Sequence, residues 1–428
     1  VKELQEIDAD ISELERLKNR IPGNRPYTRK LETTFERQIN ELLNRKTALH
    51  DLEMEEPPPE LMKEIFSFDL ATASTIHGRA RVFEPTRKEE AVVSFLKAIP
   101  KTEIHLHIEA CISAATLARL LEKNKVTYTE EKLNKLYQFT DLGGFIELFF
   151  FILDAIKQPD DFQVIFQNLR EYLQENNIRY AEVFLAPSKM IQNGLDFNEI
   201  MQVLDREARD CRLSGGPEVS YLIDVSRTFG PDNASKNLQR VMGAKVSSII
   251  GIGLGGNELK GPARDFASVF AQARAAGLRT VAHAGEDDGP WSVRDTVEIL
   301  KAERIGHGIS MVQDPDLMEK VKRMEIPVEI CLTSNIFTGK YVKREEDHPV
   351  RRYYDEGIIC TINTDDPEIF NVTLTQEYFK FYKYLNFTIT ELIDLVRQGV
   401  YGSFHPQPAK LWSGFEGEIQ RLRETTGL

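Results

Sequence analysis

From residue 101 onward the chain alternates short apolar runs with longer stretches of helical periodicity. The runs at 103–107, 179–184, 219–224, 248–253, 280–283, 304–307, 328–331 and 358–362 have the apolar character of parallel strands buried on both faces. Helix-like patterns fill the intervals at 162–174, 197–212, 263–276, 293–302, 316–324 and 348–356. Eight such strands alternating with helices predict the α/β class and a closed (β/α)8 TIM barrel, with its chemistry at the C-terminal strand ends. An open doubly wound sheet is the runner-up, but no glycine-rich nucleotide fingerprint follows any strand. Gly251-Ile-Gly-Leu-Gly-Gly256 only half resembles one, and it comes too late in the chain.

Residues 1–56 differ in kind. Leu4, Ile7, Ile11 and Leu14 recur at three- and four-residue steps with charge between them, a narrow coiled-coil-like seam. Pro22-Gly23-Asn24-Arg25-Pro26 breaks that helix, and a second carries Leu31, Phe35, Ile39, Leu42 and Leu49 on one side. The pattern predicts an N-terminal helical hairpin extension whose seam must be covered by the main domain or by another subunit, a route to a homo-oligomer. Pro57-Pro58-Pro59 closes it as a stiff spacer, and residues 57–100 read as a mixed helical and loop connection. The barrel is expected over 101–410 and a C-terminal helix over 411–428. The insert between the first two strands, 108–178, is helical and rich in aromatics (Phe145, Phe149, Phe150, Phe151), and is placed to cover the barrel mouth.

At 428 residues, one barrel with extensions accounts for the whole chain. A net charge of −13 argues against nucleic acid or anionic membrane as a main partner, since both favour basic surface. No run of eighteen or more uncharged apolar residues occurs, so no transmembrane helix is expected. Cys111, Cys211, Cys331 and Cys360 are widely spaced with no CxxC pair, which fits a reduced, cytoplasmic protein. The chain begins at Val1 rather than Met, which leaves room for a missing or processed N-terminal segment.

Candidate chemistry gathers where the apolar runs stop. His283 ends one run and is followed by Ala-Gly-Glu286; His307 ends the next, between Gly306 and Gly308. On that segment alone, two buried, satisfied histidines and a surface Glu account for the pattern equally well. The other strand ends tip the balance. The first closes with His105-Leu-His107, and residues at i and i+2 of a strand share a face, so both imidazoles can reach one ion. The eighth ends in Asn363-Thr-Asp365-Asp366-Pro367. Four of the eight histidines thus stand at strand ends of a barrel. His105, His107, His283 and Asp365 make a three-nitrogen, one-oxygen set suited to one Zn²⁺ per chain, with Fe²⁺, Co²⁺ or Mn²⁺ as replacements. The fourth strand ends at Gly253-Leu254 with no group to bridge a second ion.

His105-x-His107, His283-Ala-Gly-Glu286, Gly306-His307-Gly308 and Thr364-Asp365-Asp366-Pro367 together resemble the adenosine deaminase family of metal-dependent amidohydrolases. The resemblance runs from about Lys101 to Phe404 and takes in Tyr180-Ala-Glu-Val183, Gly256-Asn-Glu258 and Thr333-Ser-Asn335. It implies a hydrolase that replaces the 6-amino group of a purine by oxygen. The metal would lower the pKa of a bound water, His307 would take that water's proton, and protonated Glu286 would donate to purine N1. Asp366 would bond N7 and the Gly256 backbone N–H would meet N3; the alternative for Asp366 is to orient the metal site.

One departure bears on the substrate. Nucleoside-cleaving members of the family read His-x-His-x-Asp-Gly, whereas this chain reads His105-Leu-His107-Ile-Glu109-Ala110. The Asp is expected to hold the sugar hydroxyl, and a Glu there is found in relatives acting on free adenine or on modified nucleosides. Gly256-Asn-Glu258 looks like the nucleoside branch, so adenosine or deoxyadenosine is the expected substrate. Adenine or aminodeoxyfutalosine is the alternative, and a non-catalytic protein-interaction relative ranks below both.

Overall fold

Eight parallel strands pair in chain order, β1 (Lys101–His107), β2 (Ile178–Leu185), β3 (Glu218–Asp224), β4 (Ile249–Gly253), β5 (Arg279–Ala284), β6 (Arg304–His307), β7 (Val328–Ile330) and β8 (Cys360–Ile362). The computed structural model describes residues 85–139 and 142–428, the side chains at 87, 88, 142, 143 and 146 excepted. The hairpin expected at 1–56, and residues 57–84 of the connection after it, lie outside the described residues. All eight strands stand where the apolar runs predict them. They are buried almost throughout, although β1, with Lys101, Glu103 and His105 between Thr102, Ile104 and Leu106, alternates polar and apolar positions, and β2 and β6 carry buried charges. The described residues form a (β/α)8 barrel.

Helices wrap the strands, and the predicted ones appear with local irregularities. The 263–276 pattern is a 3-10 turn (Ala263–Phe266) running into the helix Ala267–Ala275. The 293–302 pattern is a helix Pro290–Asp295 that widens into a π-turn Thr296–Leu300 and stops at Lys301, whose φ is +53°. A helix Gly230–Gly243 between β3 and β4 is absent from the predicted set, because its Gly-Pro start reads as a breaker although Pro is favoured in a first turn. No helix among the described residues is long and apolar enough to cross a membrane.

The barrel closes through polar groups. β8 is three residues long, and the segment after it completes the seam to β1. Asn363 Oδ1 accepts the backbone N–H of Ile104 (2.9 Å) and His105 (3.1 Å), and Glu103 accepts from the N–H of Thr364 (3.0 Å). The Asp365 backbone then pairs with β1 on both sides: His107 N donates to its carbonyl (3.0 Å) and its own N–H donates to the His105 carbonyl (3.1 Å).

Most apolar side chains fill one layer between strands and helices, whereas Phe184, Leu222 and Val281 form a separate small cluster. Phe404 packs on that cluster, with the guanidinium of Arg304 3.8 Å from its ring centre. Arg304 is fully buried between Glu182 (2.5 Å) and Glu329 (2.5 Å), and Glu329 also reaches His105 Nδ1 at 2.6 Å. The aligned charges explain how two acids and an arginine tolerate complete burial. Removing the cation strands both carboxylates, so Arg304→Ala should lower unfolding stability by about 3–5 kcal/mol, measured by urea titration of the variant against the parent chain. A loss below about 1 kcal/mol would mean the acids are neutral and do not need the guanidinium.

Candidate active site

Every strand end singled out in the sequence opens on the same end of the barrel. His105 and His107 leave β1 on one face, two residues apart. His283 comes from β5 and His307 ends β6. The ligand atoms of His105, His107, His283 and Asp365 all lie within 4.8 Å of one another. Asp365 Oδ1 is 3.3 Å from His105 Nε2 and 3.2 Å from His107 Nε2, and His107 Nε2 is 3.3 Å from His283 Nε2. An ion with bonds of about 2.0–2.2 Å sets its ligands about 3.0–3.6 Å apart along the polyhedron edges, so these separations fit one small divalent cation. His105 Nε2 is buried with no hydrogen-bond partner, an atom that a shared cation would satisfy. His307, Cys331 and Asp365 form a second such group around the same carboxylate. Burial pushes the Cys331 thiol well up, so it stays protonated and is the poorer ligand.

Two of these residues have backbones in the left-handed region, Asp365 at φ +67° and His307 at φ +62°. For a side chain with a Cβ that conformation costs on the order of 1–3 kcal/mol and persists only where surrounding bonds impose it. The seam to β1 imposes it on Asp365. It turns the carboxylate back between the two β1 imidazoles, and Ser334 Oγ donates to its Oδ2 at 2.7 Å.

Glu286 lies across from His307, its Oε2 3.3 Å from His307 Nε2. Burial, then the charges of Asp287 and Asp365, raises the Glu286 carboxyl well above the usual range, the direction a proton donor needs. Asp366 is pushed up to about 8, first by burial and then by Asp365 beside it. Burial pulls His307 down to about 4. Glu109 lies in the short turn after β1, where its Oε1 accepts the Ala186 N–H at 2.7 Å and its Oε2 is buried without a partner. Gly256 stands in the turn after β4 at φ +97°, where an added Cβ would strike Thr228 Oγ1.

The aromatic insert reaches the same end of the barrel. On the helix Leu142–Ala155, Phe145 lies 6.0 Å from Phe337 and 5.8 Å from Phe370, ring centre to ring centre. Those two partners follow β7 and β8, so the insert packs on the catalytic-face loops.

Residues 100–412 match the family model described as adenosine deaminase. The chain belongs to the adenosine deaminase family. It is a metal-dependent hydrolase of that type, and its chemistry is that of purine metabolism. Among curated relatives, the aminodeoxyfutalosine deaminase of Streptomyces avermitilis is 31% identical over 335 residues, covering 77% of this deaminase and 93% of the relative. The adenine deaminase of Rhodopseudomonas palustris is 32% identical over 314 residues, 73% of this chain and 91% of the relative. The solved adenine deaminase of Arthrobacter aurescens superposes with a TM-score of 0.70 at 26% identity, covering 76% of this chain and all 100% of that one.

Several residues that hold the deaminase site went without a role in the sequence. Glu258 accepts the backbone N–H groups of Gly285, Glu286 (3.0 Å), Asp287 (2.9 Å) and Asp288 (3.1 Å), together with Ser292 Oγ. One carboxylate therefore fixes the whole turn that carries Glu286. Arg227 and these donors hold Glu258 ionised despite burial. Glu329, Glu182 and Arg304 were legible as charges inside apolar strands, a pattern that demands partners. Glu258→Ala should leave four backbone donors without their acceptor, and amide hydrogen exchange at 285–288 should speed up while the β7 segment stays protected. Unchanged exchange at 285–288 would mean the turn is held by other bonds.

Proposed function

We propose that this deaminase removes the 6-amino group from an adenine-containing nucleoside, adenosine or deoxyadenosine, giving the 6-oxopurine and ammonia. His105, His107, His283 and Asp365 would hold one metal ion, with zinc the best match to three imidazoles and a carboxylate. When bound, such an ion lowers the pKa of a coordinated water toward neutrality. The chain's own groups do the rest. Protonated Glu286 donates to purine N1, so the ring accepts electrons as oxygen attacks C6. His307 Nε2 faces the attacking oxygen from the other side. Asp366, mostly protonated near neutral pH, donates to N7, and the Gly256 N–H meets N3. The aromatic helix over the mouth keeps bulk water from the reacting carbon.

The observation that supports a nucleoside is Glu109 Oε2, a buried oxygen without a donor, four residues past His105. Leaving a carboxylate oxygen in that state costs about 1–3 kcal/mol, and a sugar hydroxyl would relieve it. A site built around such a hydroxyl rejects analogues lacking it by large factors. The second reading is free adenine, whose N9–H could serve the same oxygen. The relatives named adenine deaminase favour it. A nucleoside extended at the sugar is the third member of the set, favoured by the Streptomyces relative.

The deciding experiment compares kcat/KM for adenosine, 2′-deoxyadenosine, adenine and aminodeoxyfutalosine in the parent chain and in Glu109→Asp. The nucleoside reading expects adenosine or deoxyadenosine to lead and Glu109→Asp to reorder the series. Adenine leading in the parent would overturn it. Two variants test the machinery. Glu286→Gln should retain metal and KM while kcat falls by about 10²- to 10⁴-fold, and a change in KM alone would make Glu286 a binding residue. His283→Ala or Asp365→Ala should lose the metal and turnover while the barrel stays folded, and normal metal content in either would remove that residue from the ligand set.

A further inference from the structure

A chain of hydrogen bonds runs from the backbone behind β7 and β8 to His307, and its direction is fixed at the far end. The Val350 N–H donates to His348 Nδ1 at 3.1 Å. A backbone amide is only ever a donor, so His348 Nδ1 carries a lone pair. Turning the His348 ring over would place carbons at both nitrogen positions and break both of its bonds. In the neutral ring the proton is therefore on Nε2, and it points to Asn335 Oδ1 at 3.2 Å. That makes Asn335 Oδ1 the acceptor and leaves its amide N–H to face His307 Nδ1 at 3.1 Å. His307 Nδ1 must then accept, and the ring's remaining proton sits on Nε2, the buried, unpartnered atom that faces Glu286. Flipping the Asn335 amide would ask His348 to accept at both nitrogens, which neutral imidazole cannot do. Burial, with His307 as the smaller cause, holds His348 down at about 3, so it stays neutral over the working pH range.

We propose that Asn335 and His348 are positioning residues that lock His307 in the Nε2–H tautomer, so that His307 donates a hydrogen bond to the attacking oxygen and has no lone pair there to take a proton from water. The proposal rests on the functional reading above and replaces the base role that the family resemblance implies for His307, which needs a bare Nε2. In this arrangement His307 takes no proton; the proton lost by the attacking water would go to solvent, and the oxygen that attacks C6 would accept the Nε2–H. The helix Leu332–Thr338 that carries Asn335 is itself tied down on either side: Thr333 is held by Glu377 and Lys380 of the helix Leu374–Tyr384, and Ser334 bonds Asp365.

The test is the ring ¹⁵N spectrum of the zinc-loaded, ¹⁵N-histidine-labelled chain, whose eight histidines keep it simple. His307 is assigned by the signals lost in His307→Gln. The expected wild-type pattern is an unprotonated Nδ1 and a protonated Nε2 for both His307 and His348. A His307 protonated at Nδ1 and bare at Nε2 would overturn the proposal. In Asn335→Asp the carboxylate accepts from both rings, so His307 should switch its proton to Nδ1. A folded Asn335→Asp with the wild-type His307 pattern would also overturn it. The wild-type spectrum decides the tautomer even if that variant does not fold. In a folded Asn335→Asp, kcat should fall about 10- to 100-fold with KM held, whereas a merely structural role would leave the ring spectrum unmoved. The spectrum is independent of turnover, so the expected pattern in a chain that deaminates no purine would refute the functional reading and leave the tautomer standing.

Discussion

The closure of the barrel and the assembly of its site are one interaction. β8 is too short to pair with β1 along its length, and the polar segment 363–365 finishes the job. Asn363 takes the N–H groups of Ile104 and His105, and the Asp365 backbone bonds to His105 and His107. Those bonds hold Asp365 at a positive φ that it would not adopt alone, and that turn aims its carboxylate between the two β1 imidazoles. A chain that failed to close here would scatter three of the four candidate ligands at once. Closure thus couples the stability of the fold to the geometry of the site.

Around that seam the remaining parts are held by buried charges rather than by apolar packing. Glu258 gathers the turn that carries Glu286, and the Glu182–Arg304–Glu329 chain ends on His105 Nδ1. Thr333, Ser334 and Asn335 tie one turn to a buried Glu–Lys pair, to Asp365 and to His307. A buried ion pair adds little net stability compared with well-packed apolar groups, but losing one partner is severe. Such pairs suit a catalytic face, where imidazoles and carboxylates must keep one orientation within fractions of an ångström.

The strands were legible because short, largely buried runs of apolar residues recur between helical stretches, and the site residues because they stand where those runs stop. His105-x-His107 needed only the two-residue period of a strand. The supporting shell was harder to read. Glu258 lies 28 residues from Glu286, and no local pattern says that its carboxylate will fold under that turn. His348 reads as the start of a helix, and its hydrogen-bonded link to His307 runs through Asn335, 13 residues before it and 28 after His307. The helix Gly230–Gly243 was hidden by its Gly-Pro start, which is a breaker inside a helix and a favoured opening at its first turn.

X-ray absorption at the zinc edge of the metal-loaded chain tests the central claim, one ion on His105, His107, His283 and Asp365, most directly. The account predicts one zinc per chain, with three imidazole nitrogens and oxygen donors in a first shell at about 2.0–2.2 Å. A sulfur scatterer at about 2.3 Å would place Cys331 in the shell, and a second metal scatterer at about 3.5–4 Å would reveal a two-metal site. Either result would contradict it.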